Sequence, residues 1–260
     1  MIDYEKQFAG FFNQLADAAS DIALKYFRQL IPVDDKEDKS PVTQADREIE
    51  AALRRLINKA FPDHGIIGEE YGKEKDDAEF VWVIDPIDGT KSFITGRPLF
   101  GAMIGLMHNG KPVVGLIDQA YTKERWFGIT DRYASHNGTL IKVATPRSLD
   151  NARLYTGSIA MFEGDNFENY LKLCRAAKLT QYACDCYAYG LLAMGWADIV
   201  VEQNLKIYDA AAVVPILSGA GGFVSDWNMR PIDLSFDGHL VAASSQRLAE
   251  QAVVIMSIKK

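Results

Sequence analysis

The thirteen residues from Val81 to Phe93, VWVIDPIDGTKSF, place two aspartates three positions apart after an uninterrupted apolar run. The run from Phe80 to Ile84 lacks polar alternation, the pattern of a strand buried on both faces. A carboxylate ending such a strand, Asp85, sits at the rim of the core, where it needs a cation or hydrogen-bond donors. Pro86 fixes its own φ and keeps Asp85 out of helical geometry, so the chain is expected to bend and bring Asp88 beside Asp85. Gly89 and Thr90 then open a helix through TKSFI, whose free N–H groups suit a phosphate. Hard carboxylate oxygens select Mg2+ or a similar cation over zinc. The same residues also fit a plainer arrangement, in which Asp88 caps the helix and Asp85 is structural.

Other acids fall at element ends. Glu69 closes the short strand GIIGEE, where it supplies either another metal ligand or a solvated turn running into YGKEKDDAE. Asp209 opens DAAAVVPIL, a natural N-cap position, and Asp46 sits one turn into a helix, where an acid favours the dipole. Three near-motifs are turn chemistry. GTKS has Thr90 where a P-loop needs glycine, GAGG at 219–222 follows a helix and lacks dinucleotide spacing, and Asn137-Gly138-Thr139 fits a glycosylation pattern that a cytosolic chain would not use.

The elements that must position these residues divide in two. Phe8, Phe11, Phe12, Leu15, Ala18, Ala19, Ile22, Ala23, Tyr26 and Phe27 recur at helical spacing, which predicts a long amphipathic helix. VDDKEDKSPVT reads as a loop or short irregular hairpin. A second helix follows from about Gln44 to Ala60, with Thr43 as N-cap and Pro62 beyond its end. Strands are predicted at FVWVIDP, at LFGAMIGLM and PVVGLIDQA around an Asn-Gly turn, and at RWFGIT. From Thr145 strands and helices alternate (RLYTGS, NFENYLKLCRAAK, AYGLLAMGWA, DIVVE, DAAAVVPILSGAGG, HLVAASS and a last helix), the texture of an α/β unit. We expect an N-terminal α+β subdomain over 1–143 carrying most of the metal ligands, and a C-terminal α/β subdomain over 144–260.

Composition excludes several classes. With 28 basic against 35 acidic residues in 260, the charge of −7 is not that of a nucleic-acid binder. No apolar run approaches the roughly 18 residues of a membrane span. Three cysteines without a CxxC pair, and no signal-like N-terminus, read as a cytoplasmic protein.

Taken together, Lys36 in KEDKSPVTQAD, GEE at 68–70, WVIDPIDGT at 82–90 and Asp209 resemble the magnesium-dependent inositol monophosphatase superfamily along nearly the whole chain. The resemblance implies a layered α-β-α-β-α sandwich, with an antiparallel sheet in the first half and a mixed sheet in the second. It implies two or three Mg2+ held by Glu69, Asp85, Asp88, Asp209 and the carbonyl of Ile87. Asp46 and Thr90 match the pair that orients the attacking water, with Glu69 alongside them in catalysis, and Gly89 and Thr90 match the phosphate-holding turn. The implied reaction is in-line attack of metal-activated water on a phosphomonoester, without a phosphoenzyme, in a homodimer.

Finer features, DGTKSFITGRPLFG, DCYAYGLLAMG and VVEQNLKIYD, are similar to the histidinol-phosphate phosphatase branch. That branch implies Asp185, Glu202 and Lys91 near the substrate's organic half, and carboxylates suit the ammonium and imidazole of histidinol. Inositol monophosphate and 3′-phosphoadenosine 5′-phosphate are the alternative substrates. Cys184 stands where that branch leads us to expect glycine, so the backbone beside Asp185 is expected to differ. Haloacid-dehalogenase phosphatases also carry Asp-Gly-Thr after a strand, but one residue separates their aspartates, whereas Pro86 and Ile87 intervene here. A non-catalytic magnesium-binding protein on this fold would show decay, and every matching side-chain ligand position is acidic.

Overall fold

The computed structural model describes residues 2–35 and 41–258; Lys36 lies outside them. Asp3 starts the first helix by accepting a hydrogen bond from the Lys6 amide, and α1 (Tyr4–Tyr26) then buries Phe8, Phe12, Leu15, Ala19 and Ala23 along one stripe. Two short strands, β1 (Val33–Asp35) and β2 (Pro41–Thr43), pair antiparallel, as the hairpin reading expected. Thr43 caps α2 (Gln44–Ala60), its hydroxyl accepting from the Ala45 amide at 3.1 Å. In return Asp46 accepts from the Thr43 amide at 2.9 Å, which completes a capping box.

The first sheet has eight strands. They are β3 (Gly65–Gly68), β4 (Gly72–Glu74), β5 (Phe80–Asp88), β6 (Gly101–His108), β7 (Lys111–Gln119), β8 (Glu124–Ile129), β9 (Tyr133–His136) and β10 (Thr139–Ile141), in the order β10-β9-β8-β7-β6-β5-β3-β4. A five-residue helix, α3 (Thr90–Ile94), separates β5 from β6. The sheet is antiparallel except for β3 against β5. The second sheet takes β11 (Arg153–Thr156), β12 (Leu179–Tyr182), β13 (Ile199–Glu202), β14 (Phe223–Asp226) and β15 (Leu240–Ala243), in the order β12-β11-β13-β15-β14 with mixed pairing. Its helices are α4 (Gly164–Ala176), α5 (Tyr187–Ala193), α6 (Ile207–Ala210), α7 (Val213–Gly219) and α8 (Gln246–Met256).

The layers follow from which faces are apolar. Helices α1 and α2 cover one face of the first sheet, with Trp82 of β5 set among the rings of Phe8, Phe11, Phe12 and Phe61. Helices α5, α6 and α7 fill the space between the sheets, where Met103, Ile117 and Trp126 meet Tyr189, Val213 and Ile216 in one buried cluster. Helices α4 and α8 cover the outer face of the second sheet. The result is the α-β-α-β-α sandwich that was expected.

Three local expectations need correction. Strand β5 does not end at Asp85: it runs on to Asp88, with the register against β6 shifting between the two aspartates. Pro86, which has no N–H to give a ladder, is accommodated as a bulge rather than as the end of the strand. Asp88 therefore does not cap α3, and Gly89, at φ 81°, occupies the N-cap of that helix. The helix expected from Asp209 to the glycines is broken into α6 and α7, because Pro215 offers no N–H to the carbonyl of Ala211. Asp209 is thus the third residue of a short helix, not its first. Finally, Gly72–Glu74 forms strand β4, where a solvated turn had been an open reading.

Candidate active site

The bulge in β5 and the short α6 aim three carboxylates at one point. One oxygen each from Asp85, Asp88 and Asp209 lies within 4.8 Å of the others, and Asp85 is buried. Asp85 is the hub. Its Oδ1 accepts from the Ile87 amide at 3.0 Å, and its carboxyl shares hydrogen bonds with Glu69 and Asp209. Burial, then the charges of Glu69, Asp88 and Asp209, hold Asp85 well above the usual carboxylate range. Burial does the same to Asp88, helped by Asp185, Asp209 and Glu202. Asp209 is pushed up to about 7, chiefly by burial, although it accepts from the Lys206 amide at 2.6 Å. Several buried acids that repel one another are stable only if protonated or neutralised by a cation. The donor set is all oxygen, so it fits Mg2+.

The supporting residues extend outward from this hub. Glu69 follows β3, its amide bonded to the Ile84 carbonyl at 3.2 Å, and its charge acts on Asp46, Asp85 and Asp209. Thr90 donates its hydroxyl to the Ile87 carbonyl at 3.1 Å, so those two predicted residues meet. Helix α3 packs on β2, whose Thr43 hydroxyl donates to Asp46 at 2.6 Å. Burial raises the pKa of Asp46, and the Thr43 hydrogen bonds partly offset the shift.

Glu50 escaped the sequence reading. Its fully buried carboxylate accepts from the amides of Glu70 at 2.6 Å and Tyr71 at 3.2 Å, and from Arg54 Nε at 2.8 Å. It therefore pins the turn that carries Glu69. A side chain at Gly68 would collide with Glu50, 1.9 Å from its Oε1, so only glycine fits there. The available signal was helical: Asp46 and Glu50 lie four apart on the buried face of α2 with Ile49 and Leu53. Glu50→Ala is expected to cost about 3 kcal/mol in urea unfolding, since it leaves two turn amides without their acceptor and Arg54 with only the Gly72 carbonyl and Glu74. It should also raise the Mg2+ needed for half-maximal activity about 10-fold to 100-fold, as loss of a ligand-orienting contact does.

A cavity of about 730 Å³ opens beside the hub and is lined by Asp88, Asp209, Asp185, Glu202, Lys91 and Arg97, among others. A larger cleft of about 880 Å³ between α1 and β8 contains none of the predicted residues, so chemistry rather than size marks the site. Asp185 accepts from Ser92 Oγ at 2.7 Å and packs on Gly89, where an added Cβ would lie 2.9 Å from its carbons. Burial raises its pKa, while Ser92, Arg97 and Lys91 pull it back. Glu202 ends β13 and is buried, with Oε1 accepting from the Gly157 amide at 2.6 Å and Oε2 from the Tyr189 hydroxyl at 2.5 Å. Burial pushes it up to about 7, with Asp185 and Asp209 adding to the rise.

The backbone is strained on either side of Cys184 rather than at Cys184 itself. Its neighbours Ala183 (φ 57°) and Asp185 (φ 45°) both take left-handed conformations that are costly for a side chain. They are held by the Ala183 amide on the Thr156 and Gly157 carbonyls, by Arg97 on the Ala183 carbonyl at 3.1 Å, and by the Cys186 amide on Asp88. Ser92, Arg97, Gly157 and Tyr189 are site residues that sequence reasoning did not single out.

Asp85, Asp88, Asp209 and Glu202 have raised folded-state pKa values, so the folded chain binds their protons more tightly than the unfolded chain does. For Asp209 and Glu202, each pushed up to about 7, the stabilisation is complete below the unfolded values near pH 4 and is lost as pH rises through about 7, and Asp85 and Asp88 act in the same direction. Chelator-treated protein should therefore lose on the order of 3 kcal/mol between pH 5 and pH 8. Mg2+ should restore that loss at pH 8, as melting curves with and without the ion would read. A flat profile would contradict the mutual repulsion described here.

Comparison with known proteins agrees with this geometry. Residues 5–258 match the model of the inositol monophosphatase family. A bifunctional phosphatase from Arabidopsis thaliana, IMPL2, named as chloroplastic, is 47% identical over 85% of this chain, which spans 64% of that protein's length. A histidinol-phosphatase from Chlorobaculum parvum is 35% identical over 89% of this chain and 90% of its own. The structure of an inositol monophosphatase from Zymomonas mobilis superposes with a TM-score of 0.90 at 41% identity, covering 99% of this chain and all of that one.

Proposed function

The chain belongs to the inositol monophosphatase family and is a metal-dependent phosphomonoesterase, and within that class we propose that it hydrolyses L-histidinol phosphate to L-histidinol and phosphate, a step of histidine biosynthesis. One observation carries the substrate reading: beyond Asp88 and Asp209, the cavity presents two further buried or half-buried carboxylates, Asp185 and Glu202. A neutral polyol gives such groups only hydrogen bonds, whereas an ammonium and an imidazole give them charge. The histidinol-phosphatase from Chlorobaculum parvum supports the same choice.

In this reading Asp85, Asp88 and Asp209, with Glu69 and the Ile87 carbonyl, would hold two or three Mg2+. When bound, these ions would supply the positive charge that draws the phosphoryl group and lowers the pKa of the attacking water. The rest is done by the chain's own groups. Asp46, fixed by Thr43, and Thr90, fixed on Ile87, orient the water. The amides around Gly89 and Thr90 face the phosphate, and Gly89 leaves room for Asp185 against the same turn. Asp185 and Glu202 hold the leaving group's cations, and Lys91 stands at the cavity wall.

Lys91 and Arg97 also favour a second reading, because two cations in the cavity would meet an additional anion such as that of 3′-phosphoadenosine 5′-phosphate. The Zymomonas mobilis likeness supports inositol monophosphate as well. A phosphate-release screen of these three compounds, with and without Mg2+, tests the proposal. Histidinol phosphate should be turned over fastest, and no compound should react without the ion. Faster release from either alternative would replace the substrate assignment. Three free cysteines support a reducing, cytoplasmic setting, and a homodimer is proposed with it, which light scattering would check.

A further inference from the structure

We propose a second anion site, separate from the catalytic cavity, in a cleft of about 490 Å³ at the edge of the C-terminal sheet, built to take a phosphate-type dianion. Six residues line it: Arg147, Ser148, Asn151, Arg153, Lys178 and Leu179. Three of them are cations, in a chain whose net charge is −7. Among the described residues a single carboxylate, Asp198, pairs with them, and it is fully buried beneath the cleft.

Asp198 is already taken by Arg153. Its Oδ2 accepts from the Arg153 amide at 2.9 Å and from Nε at 2.7 Å, and its Oδ1 accepts from Nη2 at 3.1 Å. The same Nη2 donates to the Gly195 carbonyl at 2.7 Å, so the guanidinium is locked with its Nη1 nitrogen outside these bonds. Arg147 reaches Asp198 only at 3.6 Å through Nε. Among the described residues the Lys178 ammonium has neither ion-pair nor hydrogen-bond partner, and it stands exposed at the rim. The cluster therefore keeps two positive charges more than it neutralises internally. Ser148 and Asn151, hydrogen-bonded to each other at 3.2 Å, add neutral donors.

A fixed guanidinium beside a second arginine and a mobile ammonium is the donor set that meets a tetrahedral dianion. Holding Arg153 in place beforehand removes part of the ordering cost of binding. The cleft is also linked to the catalytic cavity, because β11 runs from Arg153 to Thr156 and the next residue, Gly157, fixes Glu202.

The test is calorimetric titration of the Mg2+-loaded full chain with inorganic phosphate, and separately with methylphosphonate, in wild type and in the double variant Arg147→Ala/Lys178→Ala. The variant should bind one phosphate fewer per chain, with kcat on a monoester unchanged, since both substituted side chains are exposed and lie outside the catalytic cavity. If methylphosphonate shows the same difference, the site reads the head group of an organic phosphate; if only inorganic phosphate does, it reads the free ion. Equal phosphate stoichiometry in wild type and variant overturns the site. The outcome does not depend on which monoester is the substrate.

Discussion

Replacing Asp85 with asparagine is expected to cut phosphate release from every monoester by about three orders of magnitude or more, with the fold intact. Asparagine has nearly the same shape and can still accept the Ile87 amide, so the bulge in β5 should persist. What is lost is one charge at the residue that links Glu69 and Asp209. Metal charge is worth several kcal/mol to a hydrolytic transition state, and each 1.4 kcal/mol is a factor of ten in rate. Without metal the sign reverses. Removing one of several repelling buried acids should raise the melting temperature of the chelator-treated variant above that of wild type at pH 8. Steady-state kinetics across a Mg2+ titration, paired with melts in chelator, read both effects. Appreciable retained activity at saturating Mg2+ would remove Asp85 from the metal site.

Glu202→Gln should act selectively. Glutamine keeps an acceptor for Gly157 or Tyr189 but not the charge proposed to face the substrate's cation. Truncating a buried charge pair costs about 2–5 kcal/mol, so kcat/KM for histidinol phosphate should fall roughly 30-fold to 5,000-fold. With p-nitrophenyl phosphate, which carries no cation, the change should stay within about threefold. Asp185→Asn should behave alike but less severely, because Ser92 Oγ still donates to it and Lys91 and Arg97 already screen its charge. Equal losses on both substrates would sink the histidinol assignment and leave the phosphatase standing.

The first-half carboxylates were legible because a two-face-buried strand such as Phe80–Ile84 has an unmistakable texture, and an acid at its end must be explained. How that strand ends was not legible. Pro86 looks like a breaker, yet pairing with β6 resumes at Asp88, an outcome set by the neighbouring strand rather than by local preference. Asp209 was legible, and Pro215 already marks the break in its helix, but the close approach of Ala211 and Ala212 to Gly105 and Gly115 of the first sheet is recorded by no local pattern. Glu50 and Tyr189 looked like ordinary helical residues. Their roles arise from long-range partners, the 69–71 turn and the end of β13, that only the assembled layers bring into reach.

The central claim is that this acidic cavity selects a cationic phosphomonoester for metal-dependent hydrolysis. Its most direct test is a competition with histidinol phosphate and inositol 1-phosphate in one vessel with Mg2+, following both products over time, since their ratio gives the ratio of kcat/KM. The account predicts that histidinol accumulates first by about two orders of magnitude, in line with one buried charge interaction, and that chelation stops both reactions. Inositol accumulating as fast as histidinol, or faster, would contradict it.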